Sequence, residues 1–197
     1  MKPLPFTQPD ARAVFDVLLV LFVALEWRAR IRSHGNRDGL PLDRGSKAVV
    51  VLTIYAGLLV AFLLAFDLRG ASIADARWPV FVVGVVLMAV GIALRQWAIL
   101  LLGPLFTTDV RVQPGQTVVE RGPYRWVRHP AYTGLILFFL GIGLALGNWG
   151  SLVVVAVLPT VGLLVRIRVE EQALLETIGE PYRRFAAGRA HLFPGVW

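Results

Sequence analysis

Arg121-Gly-Pro-Tyr-Arg-Trp-Val-Arg-His-Pro-Ala-Tyr-Thr-Gly134 holds three arginines, a histidine, two tyrosines and a tryptophan, and an apolar run follows it at once. Pro130 suits the first turn of a helix, where its missing N–H costs nothing and its fixed φ is already helical. Arg128 and His129 therefore stand just before a predicted membrane helix. The free N–H groups of such a first turn favour an anionic group. This stretch decides the reading: a polar, basic site set at the mouth of an apolar helix.

Outward from it, the chain is greasy. Its 197 residues are 56% hydrophobic, and the mean hydropathy is +0.66. Soluble domains are rarely so apolar, so the expectation is an integral membrane protein of one compact bundle. Cysteine is absent, which excludes disulfide and thiol chemistry. His34, His129 and His191 lack ligand spacing, so no metal site is expected.

Five spans are predicted, at about 13–27, 47–66, 78–102, 130–146 and 151–168. Together they make an all-α bundle and a single domain over residues 1–197. The first apolar stretch is read as a membrane helix rather than a cleaved signal, because Asp16 interrupts its start and no small-residue cleavage site follows. Residues 28–47 read as a polar loop, since Gly35, Gly39, Pro41 and Gly45 oppose a long helix. Arg95, near the end of span three, either snorkels to the headgroups or faces the bundle. Val110, Val112, Val118 and Val119 lend the 103–129 connection some β character, with a turn at Gln113-Pro-Gly115. Spans four and five share only a tight turn and read as a helical hairpin. Gly134 and Gly141 lie on one face, and Gly143 and Gly147 form a small-x-x-x-small pair, both suited to close helix contact.

The net charge of +7 invites a nucleic-acid reading, but its distribution argues otherwise. The first loop, the 103–129 connection and the C-terminal region carry six, four and five basic residues, whereas the N-terminus and the 67–77 loop carry two each. Five spans put the three rich segments on one side, which the positive-inside rule makes cytoplasmic. The expected topology is N-terminus out and C-terminus in, with membrane lipids and no nucleic acid as partners.

The distinctive polar residues gather on that side, in 103–132 and 166–185. Arg166 and Glu170 are four apart and share a helical face. Singly, these features are compatible with an i,i+4 ion pair, a capping turn and an interfacial aromatic belt. Jointly they describe one shared polar site.

Gly122-Pro-Tyr124, Arg128-His-Pro-x-Tyr132-x-Gly134, Arg166 with Glu170-Glu171, Gly179-x-x-Tyr182 and Leu192-Phe-Pro194 closely resemble the isoprenylcysteine carboxyl methyltransferase family. Related phospholipid N-methyltransferases share much of that pattern. The likeness covers residues 95–194. It implies S-adenosyl-L-methionine as cofactor and S-adenosyl-L-homocysteine as product, in a cytoplasmic pocket formed by the 103–132 connection and the C-terminal helices. By this likeness His129, Pro130, Ala131, Tyr132 and Tyr124 line the cofactor pocket, and Gln116, Thr117, Val118 and Val119 add backbone contacts. Glu170 also holds the cofactor, and Arg166 faces the methyl acceptor. Gln116 stands where the family often has histidine, a change that a backbone contact survives.

The residue chemistry fits such a role. A sulfonium makes its methyl group electrophilic, so a protein need only position both partners and exclude water. A carboxylate acceptor needs orientation rather than a base, and a guanidinium fork such as Arg166 suits it. An amine acceptor would instead have to lose a proton, which makes Glu171 the catalytic candidate. The expected partner is a lipid-like or prenylated acceptor from the bilayer. A different class, a non-catalytic carrier or assembly factor, would also use glycine-rich, proline-containing helices. A carrier more often shows an internal repeat or midplane charges, and this sequence has no such repeat.

Overall fold

The computed structural model describes residues 2–34, 40–73, 76–112 and 117–195. The architecture is all-helical: α1 (Pro9–His34), α2 (Ser46–Asp67), α3 (Arg77–Leu102), α4 (Pro130–Ala145), α5 (Trp149–Thr177) and α6 (Glu180–Ala186). A minimal antiparallel ladder, β1 (Leu40–Pro41) on β2 (Arg111–Val112), is the trace of the valine-rich connection. The expected turn at 113–115 lies outside the described residues.

By length and composition α2, α3 (continued to Leu105) and α5 are each able to cross a membrane, and α4 is a shorter apolar helix. α1 is 26 residues long but charged near both ends. Apolar side chains face outward all along the bundle. Leu52, Tyr55 and Leu59 of α2 and Val17, Val20 and Val23 of α1 are more than half exposed. That surface is stable only against lipid, so the protein is integral to the membrane.

α1 outruns the expected span at its C-terminal end. Arg28 to His34 contain no helix breaker, and the glycines that forbid helix begin only at Gly35. α5 likewise continues without a break through Arg166, Glu170 and Glu171, so the last apolar crossing and the charged segment after it are one rigid rod.

The predicted hairpin between α4 and α5 exists, yet the closest helix approaches lie elsewhere. Gly134 and Gly141 of α4 face Gly91 and Gly84 of α3. A Cβ at Gly91 would sit 2.5 Å from the Gly134 carbonyl oxygen, and one at Gly141 would sit 2.5 Å from that of Gly84. A short connector makes two helices neighbours, but small residues decide which backbones touch. Gly143 does pack on Leu152 and Val155 of α5, whereas Gly147 serves the turn, with φ of +63°. α5 rests on α2, Pro159 lying against Gly57. At the end away from the polar site, Asn148 caps both helices. Its Oδ1 accepts from the Ser151 N–H (3.1 Å), and its Nδ2 donates to the carbonyls of Leu64 and Leu68 (3.3 and 2.9 Å). α1 is held by stacking of Phe22 on Phe138 (3.9 Å between centroids) and by a polar clasp described below.

Candidate active site

The C-terminal ends of α1, α3 and α5 and the N-terminal ends of α2 and α4 meet at one end of the bundle. Over them lie the described parts of the connection, 103–112 and 117–129, and α6. The C-terminal segment straps this end. Arg128 and His129 donate their backbone N–H groups to Ala190 and His191 (2.9 and 3.0 Å), and Thr133 Oγ1 donates to the Leu192 carbonyl (2.6 Å). The first turn of α4 is thereby fixed in place.

Two hydrogen-bonded clusters follow from the helical spacing of α5. Arg166 and Glu170 share a face, but Arg166 finds other acceptors and Tyr132 joins the two. The Tyr132 hydroxyl donates to Glu170 (2.6 Å) and accepts from Arg166 Nε (3.1 Å). Arg166 Nη1 donates to Asp43 (2.6 Å) and Ser46 (3.3 Å), and its Nη2 donates to the Thr108 carbonyl (2.9 Å). A guanidinium 6% exposed is therefore held on all sides before any ligand arrives. Burial pushes the Asp43 carboxyl up, but bonds from the Lys47 N–H, Ser46 and Val110 together with the Arg166 charge outweigh it, so its pKa falls below the ordinary 3.8.

The second cluster centres on Glu171. It lies 3.0 Å from His129 Nε2, 3.3 Å from Arg128 Nη1 and 3.3 Å from His191 Nε2. Beside it Arg95 faces the bundle rather than the headgroups. It grips Glu26 of α1 at 2.5 and 2.7 Å and donates to the Ala131 carbonyl at 3.1 Å. A buried cation in an apolar bundle requires such a partner, and the pair clasps α1 to α3 and to the start of α4.

Two cavities meet here. The first, about 910 Å³ and open on one side, is lined by Thr117, Val118, Val119, Tyr124, His129, Ala131, Tyr132, Arg166 and Glu170. It also includes Leu174, Ile178, Tyr182 and Phe185. The structure thus gathers most of the sequence-derived site residues around one space. Gln116 lies outside the described residues. Pro130 is buried at the start of α4 and is absent from the wall, and Glu171 is bonded to Arg128, His129 and His191. The Tyr182 hydroxyl is buried close to Glu171, outside ideal hydrogen-bond geometry with any of the described residues, and burial, with the Glu171 and Glu170 charges, pushes its pKa well up. Tyr124, buried near Glu170, shifts the same way. Both phenols are neutral donors. The second cavity, about 1230 Å³, opens between α1 and α2. Its apolar walls include Phe22, Val50, Ile54, Leu135, Phe139 and Leu163. Tyr132, Arg166, Phe106 and Thr107 line both spaces.

Sequence reasoning missed Asp43, Ser46, Thr108 and Glu26, which are single polar residues in loops or at a span's edge. Tyr182 was visible in the Gly179-x-x-Tyr182 motif, without a role attached.

Comparison with known proteins bears on the family and the fold. Residues 82–176 match the model of the isoprenylcysteine carboxyl methyltransferase family. The protein-S-isoprenylcysteine O-methyltransferase of Saccharomyces cerevisiae is 32% identical over 176 residues, covering 86% of this chain and 73% of that enzyme. An uncharacterized protein of Bacillus subtilis is 39% identical over 82 residues, 42% of this chain and 49% of that one. The solved structure of a eukaryotic intramembrane Ras methyltransferase of this family superposes with a TM-score of 0.62 at 22% identity, over 74% of this chain. The chain spans about half (52%) of that solved enzyme, so this likeness speaks for the fold. The chain belongs to the isoprenylcysteine carboxyl methyltransferase family.

Proposed function

We propose that the protein transfers a methyl group from S-adenosylmethionine to a carboxylate oxygen of a lipophilic acceptor that reaches the site from the bilayer. The observation that carries this reading is the wall shared by the two cavities. Tyr132 and Arg166 face a half-open space of mixed polar and apolar walls on one side and an apolar groove between α1 and α2 on the other. A water-soluble donor and a membrane-borne acceptor meet only at such a wall.

The first cavity fits the donor by its chemistry. The rings of Tyr124 and Tyr182 line it. The Glu170 carboxylate accepts from amino or ribose hydroxyl groups, and Leu174, Ile178 and Phe185 provide apolar surface for a purine. When bound, the donor supplies a methyl group made electrophilic by its sulfonium. Glu171 works through its neighbours: it holds His129 and Arg128, and with them the first turn of α4, in one orientation. Arg166 receives the acceptor carboxylate, its fork already oriented by Asp43, Ser46 and Thr108, so little orientational freedom is lost in the complex. Packing of the groove keeps water from the reacting atoms.

The carboxylate is favoured over an amine because a carboxylate needs no base. Glu171, the residue that would serve as one, does not line the first cavity and is already bonded to Arg128 and to the imidazoles of His129 and His191. The name of the yeast relative, a protein-S-isoprenylcysteine O-methyltransferase, supports a prenylated cysteine as the acceptor class. The excess of basic residues at this end supports a cytoplasmic active site, with the N-terminus outside.

The test is methyl transfer from labelled S-adenosylmethionine by the protein in vesicles, offered an S-prenylated N-acetylcysteine or phosphatidylethanolamine. Base-labile label on the prenylcysteine is expected. Label only on the phosphatidylethanolamine would overturn the carboxylate assignment.

A further inference from the structure

Five cations around the active site pair with carboxylates. Arg95 pairs with Glu26, Arg128 with Glu171, Arg166 with Asp43, Lys47 with Asp109, and Arg189 with Glu120. A third cleft, about 1040 Å³ between α1 and α3, breaks the pattern. Arg28 and Arg32 line it one helical turn apart. Among the described residues neither pairs with a carboxylate: Arg28 Nη2 reaches only the neutral Oε1 of Gln96 on α3, at 3.5 Å. Two like charges at i,i+4 repel, so an anion between them is favoured from both sides. Ile99, Leu100 and Phe106 give the same cleft apolar surface, and Leu100 is 59% exposed. The indoles of Trp27 and Trp97, also exposed, flank it in sequence and mark the headgroup level.

We propose that this cleft binds the phosphate of an anionic phospholipid, with Arg28 and Arg32 on the phosphodiester, the Gln96 amide beside them and an acyl chain running along Leu100. The combination selects a lipid over free phosphate, because a soluble anion gains nothing from the apolar surface. Basic pockets between membrane helices are a recurrent form of headgroup site. Nothing here depends on the acceptor's identity. Phe106, however, also lines both active-site cavities, so the bound lipid abuts the wall where donor and acceptor meet.

Native mass spectrometry of the full chain, titrated with phosphatidylglycerol or phosphatidylcholine, tests this. The native protein should retain a phosphatidylglycerol molecule at lipid concentrations where phosphatidylcholine is lost. Arg28→Gln with Arg32→Gln should weaken that retention roughly tenfold. Arg183→Gln with Arg184→Gln, which removes equal charge from the exposed face of α6, should leave it unchanged. Should the double variant fail to fold, the single change at exposed Arg32 carries the test, with a smaller loss expected. Equal retention of the two lipids, or equal loss in both charge-matched variants, would overturn the site. Displacement of the lipid by inorganic phosphate would overturn the lipid assignment in favour of a free-phosphate site.

Discussion

At the scale of single residues, the site turns on one hydroxyl. Tyr132 Oη is the only link joining Arg166 to Glu170 among the hydrogen bonds of the described residues. Tyr132→Phe keeps the ring and removes that link, leaving Arg166 Nε and Glu170 each short of a partner. An unmet charged partner in a buried site costs about 1–3 kcal/mol. Affinity for S-adenosylhomocysteine should therefore fall on the order of tenfold, as calorimetric titration would read. Retention of full affinity would mean that Glu170 is held by other means. Arg166→Ala should abolish methyl transfer while donor binding persists; equal loss of both would make Arg166 purely structural. Asp43 gives a pH signature. Its folded pKa lies below the ordinary 3.8, so its stabilising effect is complete above the ordinary carboxylate value and lost only as pH falls through the lower folded one. Asp43→Asn should lower the melting temperature at neutral pH and flatten the acid limb of the stability profile; an unchanged acid limb would show that other carboxylates set it.

At the scale of elements, the bundle rests on backbone contact between α3 and α4. Gly91→Ala places a Cβ against the backbone of Gly134 and Phe138, which cannot yield as a flexible side chain would. The expected loss is about 1–3 kcal/mol, seen as an earlier thermal transition by circular dichroism. Gly70→Ala, where an added Cβ meets nothing within 4 Å, should be nearly silent. Equal effects at the two positions would remove close packing as the cause. These elements were largely legible. Apolar runs bounded by glycine, proline and charge mark α2, α3 and α4 to within a residue or two. The Gly134/Gly141 face announced a close partner. Which partner it would be was not legible, because the connector between α4 and α5 speaks only of proximity in sequence. The extension of α1 past Trp27 was hidden for a related reason. Charged residues that leave the bilayer read as loop by hydropathy, yet arginine is a good helix former.

At the scale of the whole molecule, two spaces share one wall, which includes Tyr132 and Arg166. The residues around the first cavity were readable because most sit in compact motifs, Arg128-His-Pro-x-Tyr132 and Arg166 with Glu170-Glu171. Asp43 and Ser46 were not, since their role appears only when the first loop folds across to α5, more than a hundred residues away. Glu26 was equally silent, its partner Arg95 lying on another helix. The two-sided arrangement predicts a separation of effects. Ile54→Trp narrows the groove without touching the first cavity, and should raise the acceptor KM while leaving donor affinity intact. A parallel loss of donor affinity would mean the spaces are not independent. The most direct measurement is calorimetric titration of S-adenosylhomocysteine into the detergent-purified protein, beside Glu170→Gln. Saturable binding by the native protein, weakened about tenfold or more by the loss of one charged acceptor, is the expected result. A folded protein that binds none, or a variant that binds equally well, would contradict the assignment of this cavity to the methyl donor.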